Sequence, residues 1–195
     1  MKKLFLPGLL SIVILFAACK KDNTSASTNI DGTYNFKYMS VKGSSSVMSN
    51  SGDKVITISD YSTINNAGNV IFNNGILTAQ GVTYSVDTQS KTYQYDGADL
   101  LDSLILPFTF TVPAINSAGQ YKVVGADSIY FPQGGITTGI NGSGSYQTAA
   151  SGGHYRFNGN LLTITQNFAK DSSFTESGET YHQIETATSS IVFEK

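Results

Sequence analysis

The sequence predicts an all-β domain: an antiparallel up-and-down barrel, or a flattened barrel or sandwich, behind an N-terminal signal peptide. Three observations predict it. Apolar residues after residue 30 recur with a period of two, as in Tyr34, Phe36 and Tyr38, and that period puts them on one face of a strand. Turn residues such as Asn73-Asn74-Gly75, Asp96-Gly97 and Asn158-Gly159-Asn160 separate these runs. No run beyond the first thirty residues sustains a helical period, and many short strands between turns suggest a barrel or sandwich.

The chain opens with Lys2 and Lys3, then an apolar run from Leu4 to Ala18 broken by Pro7-Gly8, and two small residues before Cys19. A positive head, an apolar centre and a small-residue end make a signal peptide over 1–18. The run is too short for a spanning helix, which wants about 20 residues. Cys19 is the only cysteine, and an exported chain rarely keeps one odd cysteine. Its position resembles the lipobox of bacterial lipoproteins, although Phe16 stands where Leu is commonest and Leu15 precedes it. The resemblance implies that Cys19 is acylated, becomes the mature N-terminus and ties the protein to a membrane. Residues 20–29 (KKDNTSASTN) carry almost no large apolar side chain, so 19–30 reads as an acylated cysteine and a flexible tether. Lys20 is not the aspartate that retains enterobacterial lipoproteins at the inner membrane. The resemblance therefore implies the outer membrane, on its periplasmic or surface face. Lys20, Lys21 and Asp22 also resemble the charged surface-export signals of Bacteroidetes lipoproteins; a solvated tether is the plain alternative.

A single domain is expected over 31–195. Tyr34 to Tyr38 form its first strand and Lys54 to Ser59 (KVITIS) its second. Asn69 to Phe72 and Ile76 to Thr78 flank Asn73-Asn74-Gly75, and Asn-Gly accepts the positive φ of a tight hairpin. Val82, Tyr84 and Val86 alternate with polar residues, and Tyr93 and Tyr95 follow. Residues 98–106 (ADLLDSLIL) read two ways: Leu100, Leu101, Leu104 and Ile105 fit one helix face, whereas Leu100, Leu104, Leu106, Phe108, Phe110 and Val112 fit a strand face marred by Asp102, and the alternation of FTFTV favours a strand from Ser103. Pro107 must then sit at an edge or bulge, because it has no N–H for a ladder. Tyr121 to Val124 with Ser128 to Phe131, and Tyr155 to Phe157 with Leu161 to Gln166, predict two further hairpins. Residues 132–153 between them read as a long glycine-rich loop. Thr180 to Thr186 and Ser190 to Lys195 close the sheet, for about nine to eleven short strands.

Composition excludes more than it selects. Removing 1–18 leaves 10 basic residues against 14 acidic ones, a weakly acidic surface without the basic clusters nucleic acid requires. Arg156 is the only arginine. No disulfide is possible within the domain, so core burial and strand pairing must hold it. His154 and His182 are the only histidines, and on a strand His182 and Glu185 face opposite sides. Zinc needs three or four such ligands, so no metal site and no cofactor is expected. No Gly-x-Ser-x-Gly elbow joins a strand to a helix, Asp99 and Asp102 read as solvating a turn, and no enzyme is expected. In a barrel, Tyr34, Phe36, Tyr84, Phe108, Phe110, Tyr155 and Phe157 are candidates to line a ligand cavity; equally, they can fill a dry core.

Several stretches together resemble the lipocalin-like lipoproteins of Bacteroidetes. They are Asp31-Gly32-Thr33-Tyr34, Ala126 to Phe131, Tyr155 to Ile164 (YRFNGNLLTI) and the closing Ser190 to Lys195 (SIVFEK). The chain departs from classical lipocalins in two places. Tyr34 stands where they carry a tryptophan, and Arg156 is not on the last strand. The resemblance implies an up-and-down barrel with an apolar interior. The expected protein is a lipid-anchored envelope lipoprotein whose non-catalytic domain binds a small apolar ligand or an envelope protein. The alternative is a surface structural, adhesin-like or glycan-binding lipoprotein that works through its loops.

Overall fold

A computed structural model describes residues 29–134 and 150–195. Cys19, Lys20, Lys21 and Asp22 lie outside the described residues, as does 135–149 of the expected long loop. The described chain is all-β, with ten antiparallel strands and no helix. They are β1 (Gly32–Ser49), β2 (Asp53–Ser62), β3 (Ile64–Asn73), β4 (Ile76–Asp96), β5 (Asp99–Gln120), β6 (Lys122–Val124), β7 (Ser128–Phe131), β8 (Ser151–Asn158), β9 (Leu161–Glu176) and β10 (Glu179–Glu194).

The strand order is a meander that returns on itself. β2 and β3 lie end to end between β1 and β4, so that β1, β2, β4 and β3 form a ring of four. β5 pairs with the other edge of β4, and β10 returns to pair with β1, followed by β9, β8, β7 and β6. Val112 of β5 and Phe131 of β7, near opposite ends of this order, share one apolar core. The sheet is therefore curled around its core, as the expected barrel or sandwich requires.

Several strands are far longer than the sequence suggested. β4 has 21 residues and β5 has 22, a contour of about 70 Å each at the usual rise. The extra length comes from Ser-, Thr- and Gly-rich stretches in which no apolar alternation marks a strand. Cross-strand hydroxyl pairs run along them: Ser44 with Thr186 at 3.4 Å, Thr57 with Thr92 at 3.2 Å and Ser85 with Thr111 at 3.0 Å. Residues 99–120 are strand throughout, which settles the ambiguous stretch, and Pro107 lies on β5, which pairs only with β4.

The length divides the molecule into a base and a distal half. In the base every strand but β2 takes part, β2 reaching it only with Tyr61 and Ser62. β8 pairs with β9 only as far as Gln166, so beyond it six strand segments continue, in the order β5, β4, β2, β1, β10, β9. The core sits in the base. Phe72 packs against Tyr34, Tyr121 and Phe193, with ring centroids 5.9, 5.2 and 6.2 Å away. Ile30 is also in the core. Tyr34 Oη donates to its carbonyl at 2.9 Å, and Tyr121 Oη donates to Asp31 Oδ1 at 2.5 Å. These two bonds fasten the start of the domain to the base. Burial pushes the Tyr121 hydroxyl pKa well up, and the bond to Asp31 adds to that shift.

The predicted hairpin at Asn73-Asn74-Gly75 is present. Asn74 and Gly75 both take positive φ, 47° and 81°, as the two-residue turn that matches strand twist demands.

Candidate functional site

The strand registers decide which side chains share the core-facing side of the sheet. On β4 that side carries Tyr84 and Val86, and cross-strand pairing continues it onto β5 through Val112, Phe110, Phe108, Leu106 and Leu104. On β9 it carries Leu162 and Ile164 in the base, then Phe168 and Phe174, and Tyr181 of β10 pairs with Phe174. The same face therefore changes character along its length. In the base it is a closed core; in the distal half it is open, with an apolar row on β5, Phe168 and Phe174 flanking Lys170 and Ser172 on β9, and polar side chains between, among them Glu185 beside Lys170. Thr57, Thr92 and Ser90 stand in that middle strip.

The seven aromatics singled out from sequence fall into different places. Tyr34, Phe36, Tyr84 and Tyr155 are buried in the core, and Phe108 and Phe157 are half-buried against it. Phe110 is 36 % exposed. Phe36, Tyr84, Phe110 and Phe108 form a chain of rings, each within 5.4–6.2 Å of the next, that climbs from the core to the distal face. Tyr61 joins its upper end, 5.7 Å from Phe108 and 6.4 Å from Phe110. Tyr34 reaches this set only through Phe72 and Phe193, and Tyr155 pairs with Phe157 apart from it. Burial, with a smaller effect of nearby Tyr61, pushes the Tyr84 hydroxyl up to about 12.

Sequence reasoning put Leu104 and Leu106 on one strand face with Phe108, Phe110 and Val112, as the register has them, but did not name them as site residues, and it missed Phe168, Phe174 and Tyr181 as members of this face. Leu104 is 43 % exposed, Leu106 48 % and Phe168 53 %, and large apolar side chains this open, grouped on one face, mark interaction surfaces. Phe174 and Tyr181 stack at 5.2 Å with 17° between their planes. The signal that could have found them is parity: counted from Ile164, every second residue to Phe174 faces the core side.

Among the described residues, titratable groups do not assemble into a reactive centre. Ser128 Oγ lies 3.4 Å from His154 Nδ1, and Asp127 Oδ2 lies 3.7 Å from the same nitrogen. Serine and carboxylate approach one ring nitrogen, whereas a triad needs them on opposite ones, and Ser128 itself donates to Asp127 at 3.1 Å. His182 Nε2 lies 2.6 Å from Asp171 on the outer face, and Glu185 is on the other face, paired with Lys170 in register. Among the described residues no three His, Cys, Asp or Glu side chains come together as metal ligands. At the far end of the distal half, Ser51 Oγ donates to Glu179 Oε1 at 2.9 Å and Tyr181 Oη to Glu179 Oε2 at 3.2 Å. Those bonds, Ser51's foremost, hold the Glu179 carboxyl below its ordinary range.

Comparison with protein-family models, with curated proteins and with solved structures gives no match.

Proposed function

We propose that the protein is a lipid-anchored envelope lipoprotein with a non-catalytic, lipocalin-like β-domain. On this reading residues 1–18 are removed and acylated Cys19 anchors the protein in the outer membrane. The open distal face takes a small apolar ligand or an apolar segment of an envelope protein. The observation that carries the binding half is the exposed apolar row Leu104, Leu106 and Phe110 on the core-side face of β5, with Phe168 and Phe174 on the same face of β9. The base offers less to a ligand, since its rings already pack on one another.

The test is to purify the full mature protein from its native host and look for co-purified lipid by mass spectrometry. Fatty acids and isoprenoids are then screened for a rise in melting temperature. Mass action predicts about 2.7 kcal/mol of stabilisation at a hundred times the dissociation constant. No co-purified molecule and no shift with any lipid count against the ligand. The anchor is tested separately: Cys19→Ser should abolish labelling by a fatty-acid analogue and leave residues 1–18 attached. Undiminished labelling removes the lipoprotein reading.

The second reading, a surface module that meets a glycan or another envelope protein, has one observation in its favour. The chain enters the domain at the base, and the turns at 50–52, 97–98 and 177–178 stand at the opposite end of the strands. An anchor preceding residue 30 would leave those turns farthest from the membrane. Protease shaving of intact cells separates the surface from the periplasm.

A further inference from the structure

In the distal half, the two faces of one sheet carry different kinds of residue. Cross-strand register sorts the central strands β4, β2 and β1. Their outer face carries Lys42, Asp60, Asp87 and Lys91, with Ile56 and Ile58 among them. Their core-side face runs from Val86 to Gln94, from Val55 to Tyr61 and from Val41 to Ser49. No side chain on those three runs of that face is charged. Serine, threonine and valine fill most of its positions, and Val55 stands open to solvent. In an antiparallel sheet the polar face is the one that meets water and the apolar face is the one that is covered. Here the charge-free face is the one that continues the core, and among the described residues no strand reaches over it.

The size of the face narrows what can cover it. Six strands, each continuing for about ten residues beyond the level of Gln166, give a footprint of roughly 900 Å² at ordinary strand spacing and rise. A face this broad suits a protein surface better than a small ligand, since each partner in a stable interface contributes about 800 Å². Charge narrows it again. Lys170 and Glu185 stand opposite each other in register towards the β9 edge, where they form a neutral couple. Asp53, Asp96 and Asp102 lie by the turns at the far end. An acidic or basic peptide therefore finds no counter-charge at the centre. A two-fold interface needs a patch complementary to itself. An uncharged centre with its charges at the rim meets that need, because a second copy brings no like charge against it.

We propose that the open distal face is a dimer interface, packed against the same face of a second copy as the second layer of a sandwich. The proposal rests on the reading that a partner covers this face, and it names that partner. The two copies run in opposite directions. Ile129 and Phe131 of β7 and Tyr155 of β8 close over the core on the same side of the sheet, so two bases at one end would collide. The two-fold axis therefore crosses the strands. Each copy gives the other's distal half the cover that β6 to β8 give the base, with the sheets about 10 Å apart and their strands within about 30° of each other.

The test uses the full-length chain in its native host. Cys19 is the only native cysteine, so the wild type is the blank. Ser45 and Ser46 are neighbours midway along the distal part of β1, the first on the core-side face and the second on the outer face. Ser45→Cys should give a bridged dimer with a bis-maleimide that spans about 10 Å, the separation of packed sheets; Ser46→Cys should not. Two differently tagged copies should co-purify. Thr57→Lys sets like charges against each other at the centre and should lower that capture at least about tenfold while keeping a β-type far-ultraviolet spectrum. Ser46→Lys should leave capture unchanged. No capture between tagged copies, or bridging of Ser46→Cys in preference to Ser45→Cys, overturns the proposal. The alkylation rates then tell two failures apart. A thiol in Ser45→Cys that reacts much more slowly than the one in Ser46→Cys means that another molecule covers the face, and only the second copy is ruled out. Equal rates mean that the face is open in the cell, and the binding reading falls with the dimer.

Discussion

In the base, Phe72 meets three other rings and the strands of both sheet ends close over one core. Further along the same strands, Leu104 and Phe168 occupy the same face and stand open to solvent. The two regions share β1, β4, β5, β9 and β10, so the chain's local preference for strand is the same in each. They differ in what lies opposite. The base is covered by β6 to β8, and those strands are too short to reach the distal half. Packing holds the base, whereas ladder hydrogen bonds and hydroxyl pairs hold the distal half. Stability and accessible apolar surface are thereby assigned to opposite ends of one sheet.

The largest test of that contrast is a pair of truncations. Phe72→Ala should cost about 3–5 kcal/mol in urea unfolding, the range for a buried aromatic. Leu104→Ala should stay within about 0.5 kcal/mol, as surface changes usually do. Equal losses would erase the distinction. Phe157→Ala should fall between them, because its ring is half-buried.

Alkaline pH gives the next largest effect. Tyr84 titrates at about 12 in the folded protein and near 10 when unfolded. Its contribution is complete below the unfolded value and is lost as pH rises towards the folded one, since the unfolded chain releases its proton first. The loss should reach about 2–3 kcal/mol by pH 12, read as a falling urea midpoint. Tyr84→Phe should remove that share of the slope and leave the share of Tyr121, whose hydroxyl is also pushed up. Tyr181→Phe, in the distal half, should flatten it far less, because that hydroxyl is raised chiefly by its bond to Glu179 rather than by burial.

Gly68→Ala should cost about 1–3 kcal/mol, because the added Cβ meets the β4 backbone and must displace it. The smallest effect expected is at the Thr57–Thr92 hydroxyl pair. Thr57→Val should cost a few tenths of a kcal/mol and speed amide exchange in 88–96 without changing exchange in 70–79.

The base was legible in the sequence, and of the distal half Lys54 to Ser59, the stretch from Ser103 and Thr180 to Thr186 were read as strands while the rest was not. Tyr34-Asn35-Phe36 and Val82-Thr83-Tyr84 alternate cleanly because one face is buried and the other wet, and burial is what writes a period of two. Asn74-Gly75 announced its turn through backbone sterics. Residues 40–49 and 167–176, which were not read as strands, carry mostly small polar and charged side chains. Both their faces see solvent, so nothing selected an alternation, and only pairing with neighbours makes them strands. Of the proposed sites, the aromatics were visible as residue types, but which would be filled and which open depended on how far β6 to β8 reach. The close approach of Gly68 to Val82 had no signal in the sequence, since spacing does not encode a tertiary contact.

The fastening of Ile30 and Asp31 by Tyr34 and Tyr121 has a mechanical consequence. A pull on the chain preceding Ile30 against a grip on the distal turns acts along the strands rather than across them. The β1–β10 and β1–β2 ladders then share the load over many hydrogen bonds at once, in shear, instead of opening one bond at a time as in a zipper. Under tension the domain behaves as a stiff strut, and the first part to yield is the pair of tyrosine bonds at its foot.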